Sequence, residues 1–374
     1  MHRPLMRLGA LCLALTAVLA RADLVIGQSA PLSGVAMETG YSMSQGAKAY
    51  FSHINLQGGI YGELIRHVVK DDRYIPAETV RNAQSLIREE GAIALVNFYG
   101  TGNIVELNRQ KILERTGVPL VGVYSGALAA REPHTPWIYH TRAGYHDEVE
   151  MIVNMLDDLG VRSVGVLYQN DPFGQAGFEA AKQSLAKHRM TMAGVGTYEQ
   201  NTDNVAQVAE KFARENPAAI LMISITKPTA AFVSRFRAAG GTAQLFNIST
   251  ANYDQVVYNA GADKAHGLGI SQVFPSPFDY RLKLVRDYQD TLKKYAPAEQ
   301  PGYASFEGYI NARVLVEALR RAGRNPSSAA IAKALDSMQD FDLGGYRISF
   351  SSQNHIGSRF VELTMINQRG GLSR

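Results

Sequence analysis

Leu-Val-Ile-Gly-Gln at residues 24–28, Met-Ser-Gln-Gly-Ala-Lys-Ala-Tyr-Phe-Ser-His-Ile at 43–54, Gly58-Gly59, and Leu-Ile-Arg-His-Val-Val-Lys at 64–70 read as one strand–helix–strand unit. The outer runs are short and aliphatic. Between them Met43, Ala47, Tyr50, Phe51 and Ile54 fall at helical spacing and make one apolar stripe, and the glycine pair ends the helix. A strand joined to the next by a crossover helix predicts a parallel pair with the helix packed on the sheet.

The pattern continues in both directions along the chain. Val80, Ala83, Leu86 and Ile87 stripe a second helix, and Ala92–Phe98 and Pro119–Val123 read as the third and fourth strands. A second series follows Trp137–Thr141. Val149, Ile152, Val153 and Leu156 mark a helix, Ser163–Tyr168 a strand and Phe173–His188 a helix. Thr191–Tyr198, Val205–Phe212, Ala218–Ser224, Ala230–Ala239 and Leu245–Ser249 then alternate strand and helix. Tyr280–Met338 is mainly helical, and Tyr346–Phe350 and Phe360–Ile366 are strand-like. Two such series without a long linker predict two α/β domains joined by short extended crossings, which suits a hinge.

Upstream of the first strand, Arg3 and Arg7 precede an uncharged Leu/Ala-rich run, Leu8–Ala20, and Ala20-Arg21-Ala22 sets small residues where a signal peptidase reads. The run is too short to span a bilayer, which takes roughly 20 residues. Residues 1–22 are therefore expected to be a cleaved secretion signal and the mature chain to be periplasmic. Cys12 is the only cysteine and follows Leu11, so it is read as part of the apolar run and not as a lipid anchor. Losing Arg3, Arg7 and Arg21 lowers the formal charge from +4 to +1. A near-neutral chain without a basic cluster argues against nucleic acid as partner. The roughly 350 residues that remain exceed what one core organises.

In open parallel sheets, ligands bind beyond the carboxyl ends of the strands. After the third strand come Tyr99, Gly100, Thr101, Gly102 and Asn103, where glycines let backbone approach a ligand and Thr101 adds a hydroxyl; an ordinary turn with a helix cap has the same look. After the fourth come Tyr124, Ser125 and Gly126. Phe173 tops a helix start and either covers a ligand from the second domain or acts as a hydrophobic staple. Lys227 is the only cation among these loops and either touches ligand or is solvated surface. Ser249, Thr250, Asn252 and Tyr253 offer hydrogen bonds but no carboxylate. Asp71-Asp72, just after a strand, reads as a structural cap for the following turn. No nucleophile elbow, phosphate loop or dinucleotide fingerprint is present. His146-Asp147-Glu148-Val149-Glu150 lacks the second histidine of a metal helix and reads as a charged helix start. Neither catalytic residues, metal nor cofactor are expected.

Ala30-Pro31-Leu32-Ser33-Gly34, Gly46-Ala47, Ile54-Asn55, Gly58-Gly59-Ile60 and Asp71-Asp72 with Tyr74 and Pro76 resemble the amino-terminal half of type I periplasmic binding proteins, in the leucine/isoleucine/valine-binding branch. Gly117-Val118-Pro119-Leu120, Tyr168-Gln169-Asn170-Asp171 with Phe173-Gly174, and Phe306-Glu307-Gly308-Tyr309 continue the match in order. The resemblance implies two Rossmann-like lobes with parallel central sheets joined by a three-segment hinge. The expected lobes are residues 23–141 plus 274–350, and 142–273 plus 351–374. It also implies a monomer that passes a small solute to an ABC permease in the inner membrane, or a sensory module that reports occupancy to a membrane receptor.

In that family the loop at Tyr99–Asn103 holds an amino acid's carboxylate, and here glycines replace some of the expected serines. The loop at Ser125 and Gly126 holds the ammonium, together with an acidic side chain after a late second-lobe strand. Ser249 stands at that acidic position. A buried ammonium without a carboxylate is costly, so the departure argues against a plain branched-chain amino acid. An acid without an amino group becomes the alternative if Lys227 points inward, and an aromatic one given Tyr99, Tyr124 and Phe173.

Overall fold

A computed structural model describes residues 23–132 and 134–373; the secretion signal expected at 1–22 lies outside them. β1 (Leu24–Ala30) leads through α1 (Met37–Leu56), β2 (Ile65–Asp71), α2 (Pro76–Arg88), β3 (Ala94–Tyr99), α3 (Thr101–Arg109), α4 (Ile112–Thr116) and β4 (Leu120–Tyr124) to β5 (Ile138–Tyr139). These strands form a five-stranded parallel sheet in the order β2-β1-β3-β4-β5.

The chain then crosses to α5 (Tyr145–Asp158) and builds β6 (Ser163–Asn170), α6 (Pro172–Lys187), β7 (Thr191–Glu199), α7 (Ala206–Glu215), β8 (Ala219–Ile223), α8 (Thr226–Ala238), β9 (Gln244–Asn247), α9 (Tyr253–Ala260), α10 (Ala262–Ala265) and β10 (Gly269–Gln272). A second crossing returns it to α11 (Lys283–Tyr295), α12 (Tyr303–Ala322), α13 (Ser328–Asp336) and the pair β11 (Phe341–Asp342) and β12 (Arg347–Ile348). A third leads to β13 (Glu362–Ile366) and β14 (Leu372–Ser373). The second sheet runs β14-β13-β10-β9-β8-β6-β7, parallel from β10 to β7, with β13 and β14 antiparallel at one edge.

Both lobes therefore repeat one order: the first strand of each series lies between its second and third. At that switch point successive connections leave in opposite directions, opening a crevice at the strand ends. All of β3 and β8 is buried, as continuous apolar runs covered on both faces should be. Two endings differ from the sequence reading. Tyr346–Phe350 contributes only the two-residue β12, because Tyr346 and Phe350 turn into the first lobe's core instead of extending a ladder. β10 escaped notice because Gly-Ile-Ser-Gln has no apolar periodicity; its pairing partners β9 and β13 recruit its backbone.

The first lobe is centred on the packing of α1 against α12. A Cβ on Gly46 would sit 1.8 Å from the Ser305 carbonyl oxygen, and one on Gly308 would sit 2.0 Å from that of Met43. The two glycines let the helix backbones touch, which is why each stands inside a motif of the resemblance. On the facing side, an apolar cluster runs unbroken from α5, α6 and the second sheet into Tyr74, Tyr99 and Tyr124 of the first lobe. The lobes meet along this seam.

Candidate ligand-binding cleft

The switch points place the ends of β1, β3 and β4 opposite those of β6, β8 and β9. On the first lobe, Asp72 is the fixed point. Its carboxylate is buried and accepts from Ser29 Oγ (2.8 Å), Thr79 Oγ1 (2.9 Å) and the Tyr74 amide (3.0 Å). Burial pushes its pKa up to about 6 against those hydrogen bonds. Neighbouring Asp71 accepts from Leu32 N and Ser33 Oγ and ties down the loop after β1. The acidic pair read as structural thus shapes two loops of the cleft.

Gly100 caps α3 with φ of +94°, and behind it Thr101 Oγ1 and Ser125 Oγ share a hydrogen bond of 2.7 Å. The buried side chain of Tyr145, at the first turn of α5, packs beside both hydroxyls, and the Tyr145 amide donates to Gly126 O (2.9 Å). Tyr99 stacks on Tyr124 with ring centres 5.0 Å apart, and Tyr74 meets Tyr99 edge-on at 5.2 Å. From the second lobe, Asp171 caps α6 by accepting from Gly174 N (2.9 Å), which sets Phe173 buried and edge-on to Tyr145 at 5.6 Å. Gly102 faces Pro172 across the gap.

The lobes are bound directly in this conformation. Tyr74 Oη donates to Asp171 Oδ2 (3.4 Å) and accepts from Gln169 Nε2 (3.1 Å), while Gln200 Nε2 reaches Tyr74 O (3.2 Å). Tyr124 Oη donates to Ser249 O (3.1 Å), and Asn252 Nδ2 to Thr39 Oγ1 (3.0 Å). Lys227 lies at the rim, half-exposed and 3.8 Å from Glu38 of the other lobe.

The centre of the cluster is Arg142, on the first crossing and wholly buried. It lies 3.3 Å from Glu307 of α12 and 3.8 Å from Glu148 of α5, donates to Ser249 Oγ, and stacks its guanidinium 4.4 Å from the Tyr124 ring centre. Glu148 also accepts from Ser249 N and Ser271 Oγ, each at 2.7 Å. Glu148, on a helix of the same lobe, thus sets a buried carboxylate directly behind Ser249. Two carboxylates share one guanidinium; burial raises both acids, and the charge of Glu148 helps lift Glu307 to about 7.

A carboxyl that is harder to ionise when folded favours the folded state in its protonated form. Its contribution is full below the ordinary value of 4.5 and is lost as pH rises through about 7. The stability difference between the wild type and Glu307→Gln should therefore fall by roughly 2–4 kcal/mol across that window. Urea unfolding of both proteins at several pH values measures it; a constant difference would show that Glu307 ionises freely.

Of the residues picked from sequence, Tyr99, Gly100, Thr101, Gly102, Tyr124, Ser125, Gly126, Phe173 and Ser249 come together at this seam, and Lys227 stands at its edge. Sequence reasoning passed over Tyr145, Arg142, Glu148 and Glu307 as site residues. Glu307 lay inside a recognised motif and Glu148 inside a charged helix start, but nothing local distinguishes a buried charge from a solvated one.

Residues 23–371 match a family model described as periplasmic binding protein. An amino acid binding protein of Pseudomonas aeruginosa is 24% identical over 347 residues, 88% of each chain. A substrate-binding periplasmic protein from Ralstonia solanacearum has a solved structure 32% identical, with a TM-score of 0.91 over 94% of this chain and 99% of that one. A branched-chain amino acid ABC transporter protein from Thermus thermophilus, solved with bound valine, shares the fold at 17% identity, with a TM-score of 0.86 over 94% of this chain and 95% of that one. With two matching lobes, paired switch points and a family match across nearly all the described residues, the chain belongs to the periplasmic binding protein family, as a type I member.

Proposed function

We propose that this chain is the solute-binding component of an ABC importer, holding a small amino-acid-like or carboxylate solute between its lobes and delivering it to a membrane permease. The observation that carries the reading is the meeting of two sets of strand ends across one seam, with Tyr74 and Tyr124 of one lobe hydrogen-bonded to Asp171, Gln169 and Ser249 of the other. Such contacts form and break as rigid lobes rotate about the crossings. A solute that touches both sides shifts the population toward closure.

The Pseudomonas relative's name and the Thermus structure's bound valine support an amino-acid-like solute. The residues of this seam favour an organic acid with a flat apolar body. The hydroxyls of Thr101 and Ser125, beside the start of α3, suit a carboxylate. Tyr74, Tyr99, Tyr124, Tyr145 and Phe173 suit a flat ring. The acids near Ser249 are already committed to Arg142, leaving little net charge for an ammonium.

A thermal-shift screen of amino acids, amides and aromatic carboxylates tests this. A solute at a hundred times its Kd adds about 2.7 kcal/mol to folded-state stability, which raises Tm by several degrees. Aromatic carboxylates are expected to shift Tm and leucine not to. The reverse result rejects the ligand class, and silence from every solute, with no compaction in scattering, rejects solute binding itself.

A further inference from the structure

The Arg142 cluster sets one guanidinium between acids from both lobes. Glu307 belongs to α12 of the first lobe, Glu148 to α5 of the second, and Arg142 to the crossing between them. The side chains of Arg142 and Glu148 are wholly buried and that of Glu307 is 4% exposed. On each acid Oε2 is the accepting oxygen, from Arg142 on Glu307 and from Ser249 N and Ser271 Oγ on Glu148. Oε1 of each has no hydrogen-bond partner among the described residues.

The groups facing the two acids leave this charge uncompensated. Tyr124, at the end of β4, faces both acids and Tyr346, before β12, faces Glu307, each with a phenol that burial holds neutral. Arg131, in the loop after β4, is the second cation near them. Its guanidinium is occupied instead by the carbonyls of Ser125, Arg142 and Ala143, at 3.0–3.1 Å. Two ionised acids against one paired guanidinium therefore hold a surplus negative charge away from water, which is unfavourable. A proton on either acid removes it.

The cover over this charge comes from both lobes. The Tyr124 ring lies on the guanidinium, Tyr124 Oη donates to Ser249 O, and Arg142 donates to Ser249 Oγ. Parting the lobes breaks the Tyr124–Ser249 contact and admits water, and hydrated acids need no proton at neutral pH. We propose that closing the lobes takes up a proton, shared between Glu148 and Glu307, so that acid favours the closed form and alkali the open one. The proposal rests on reading the seam as a cleft that closes, whichever solute it holds.

The sign follows from linkage: falling pH drives a molecule toward the conformation that binds its proton more tightly. In the closed seam burial, helped by the charge of Glu148, lifts Glu307 to about 7, against an ordinary 4.5 in water. The ratio of closed to open forms should then rise about tenfold or more between pH 8 and pH 5.5. A simple ion-pair latch behaves the other way, loosening as its acids are protonated.

Energy transfer between dyes on two introduced cysteines, Leu56→Cys in the first lobe and Tyr258→Cys in the second, reads the lobe separation. Both positions are exposed, and residues 23–374 contain no cysteine. Without solute, the otherwise wild-type protein should move toward the short separation as pH falls from 8 to 5.5. Glu307→Gln, neutral at every pH, should keep the short separation at pH 8 and lose most of the response, and Glu148→Gln should act in the same direction. A separation unmoved by pH, one that widens on acidification, or a full response in both glutamine variants overturns proton-linked closure. None of these outcomes bears on solute binding itself, which the thermal-shift screen decides.

Discussion

Arg142→Met is expected to destabilise the folded protein by about 3–5 kcal/mol at pH 8, the loss that follows when one member of a buried ion cluster is removed. The guanidinium lies wholly buried between Glu307 and Glu148 and over the Tyr124 ring. Methionine fills much of the same volume but leaves two acids in an apolar seam without a counter-charge. Both acids can escape by taking up protons, and Glu307 already does so at about 7. The loss should therefore shrink as pH falls toward 5, because burial makes both acids easier to protonate and a neutral acid costs less in the seam. Urea unfolding at the two pH values reads this directly. The triple variant Arg142→Met/Glu148→Gln/Glu307→Gln should regain most of the stability, since the penalty comes from stranded charge and not from lost attraction. A single variant within 1 kcal/mol of wild type at pH 8 would mean that the acids are solvated and the cluster is no clasp.

This cluster also marks where reading from sequence stops. The alternation of apolar runs and striped helices was enough for two lobes, because strands covered on both faces must be aliphatic and crossover helices must carry one apolar stripe. β3, β6 and β8 fall within a few residues of their expected positions for that reason. β10 has no such stripe and is a strand only because its neighbours pair with it. Strand ends pointed to the loops at Tyr99–Gly102 and Tyr124–Gly126, since topology alone places them at the crevice. Arg142 and Glu148 are different. Their burial depends on residues more than a hundred positions away, Glu307 and Ser249 among them. Lys227 shows the same limit from the other side: its loop is at the cleft, yet its charge reaches Glu38 across the rim. A side chain's direction is set by tertiary neighbours that no local pattern encodes.

Gly100 and Gly102 carry that point into the second large effect. Both precede or begin α3 and look interchangeable in the sequence. Gly100 holds φ at +94°, and a Cβ there would lie 2.5 Å from the Tyr74 ring and 2.9 Å from Asn103 Oδ1. Gly102 has helical neighbours, and a Cβ on it would meet only Pro76 and Pro172 at ordinary contact distances of 3.6 and 3.7 Å. Gly100→Val thus imposes a backbone geometry that a β-branched residue resists, at about 1–3 kcal/mol. It also displaces Tyr74, whose ring orders Tyr99 and whose hydroxyl latches the second lobe. Loss of solute affinity of at least a hundredfold is expected, with a lower Tm. Gly102→Ala should keep the Tm or raise it, since alanine is the better helix former by about 1 kcal/mol, and should weaken binding by less than tenfold. Measuring both variants against whichever solute the thermal-shift screen identifies separates the two roles. Equal losses would place the solute against α3 itself, and an unaffected Gly100→Val would remove the Tyr74 latch from the proposed closure.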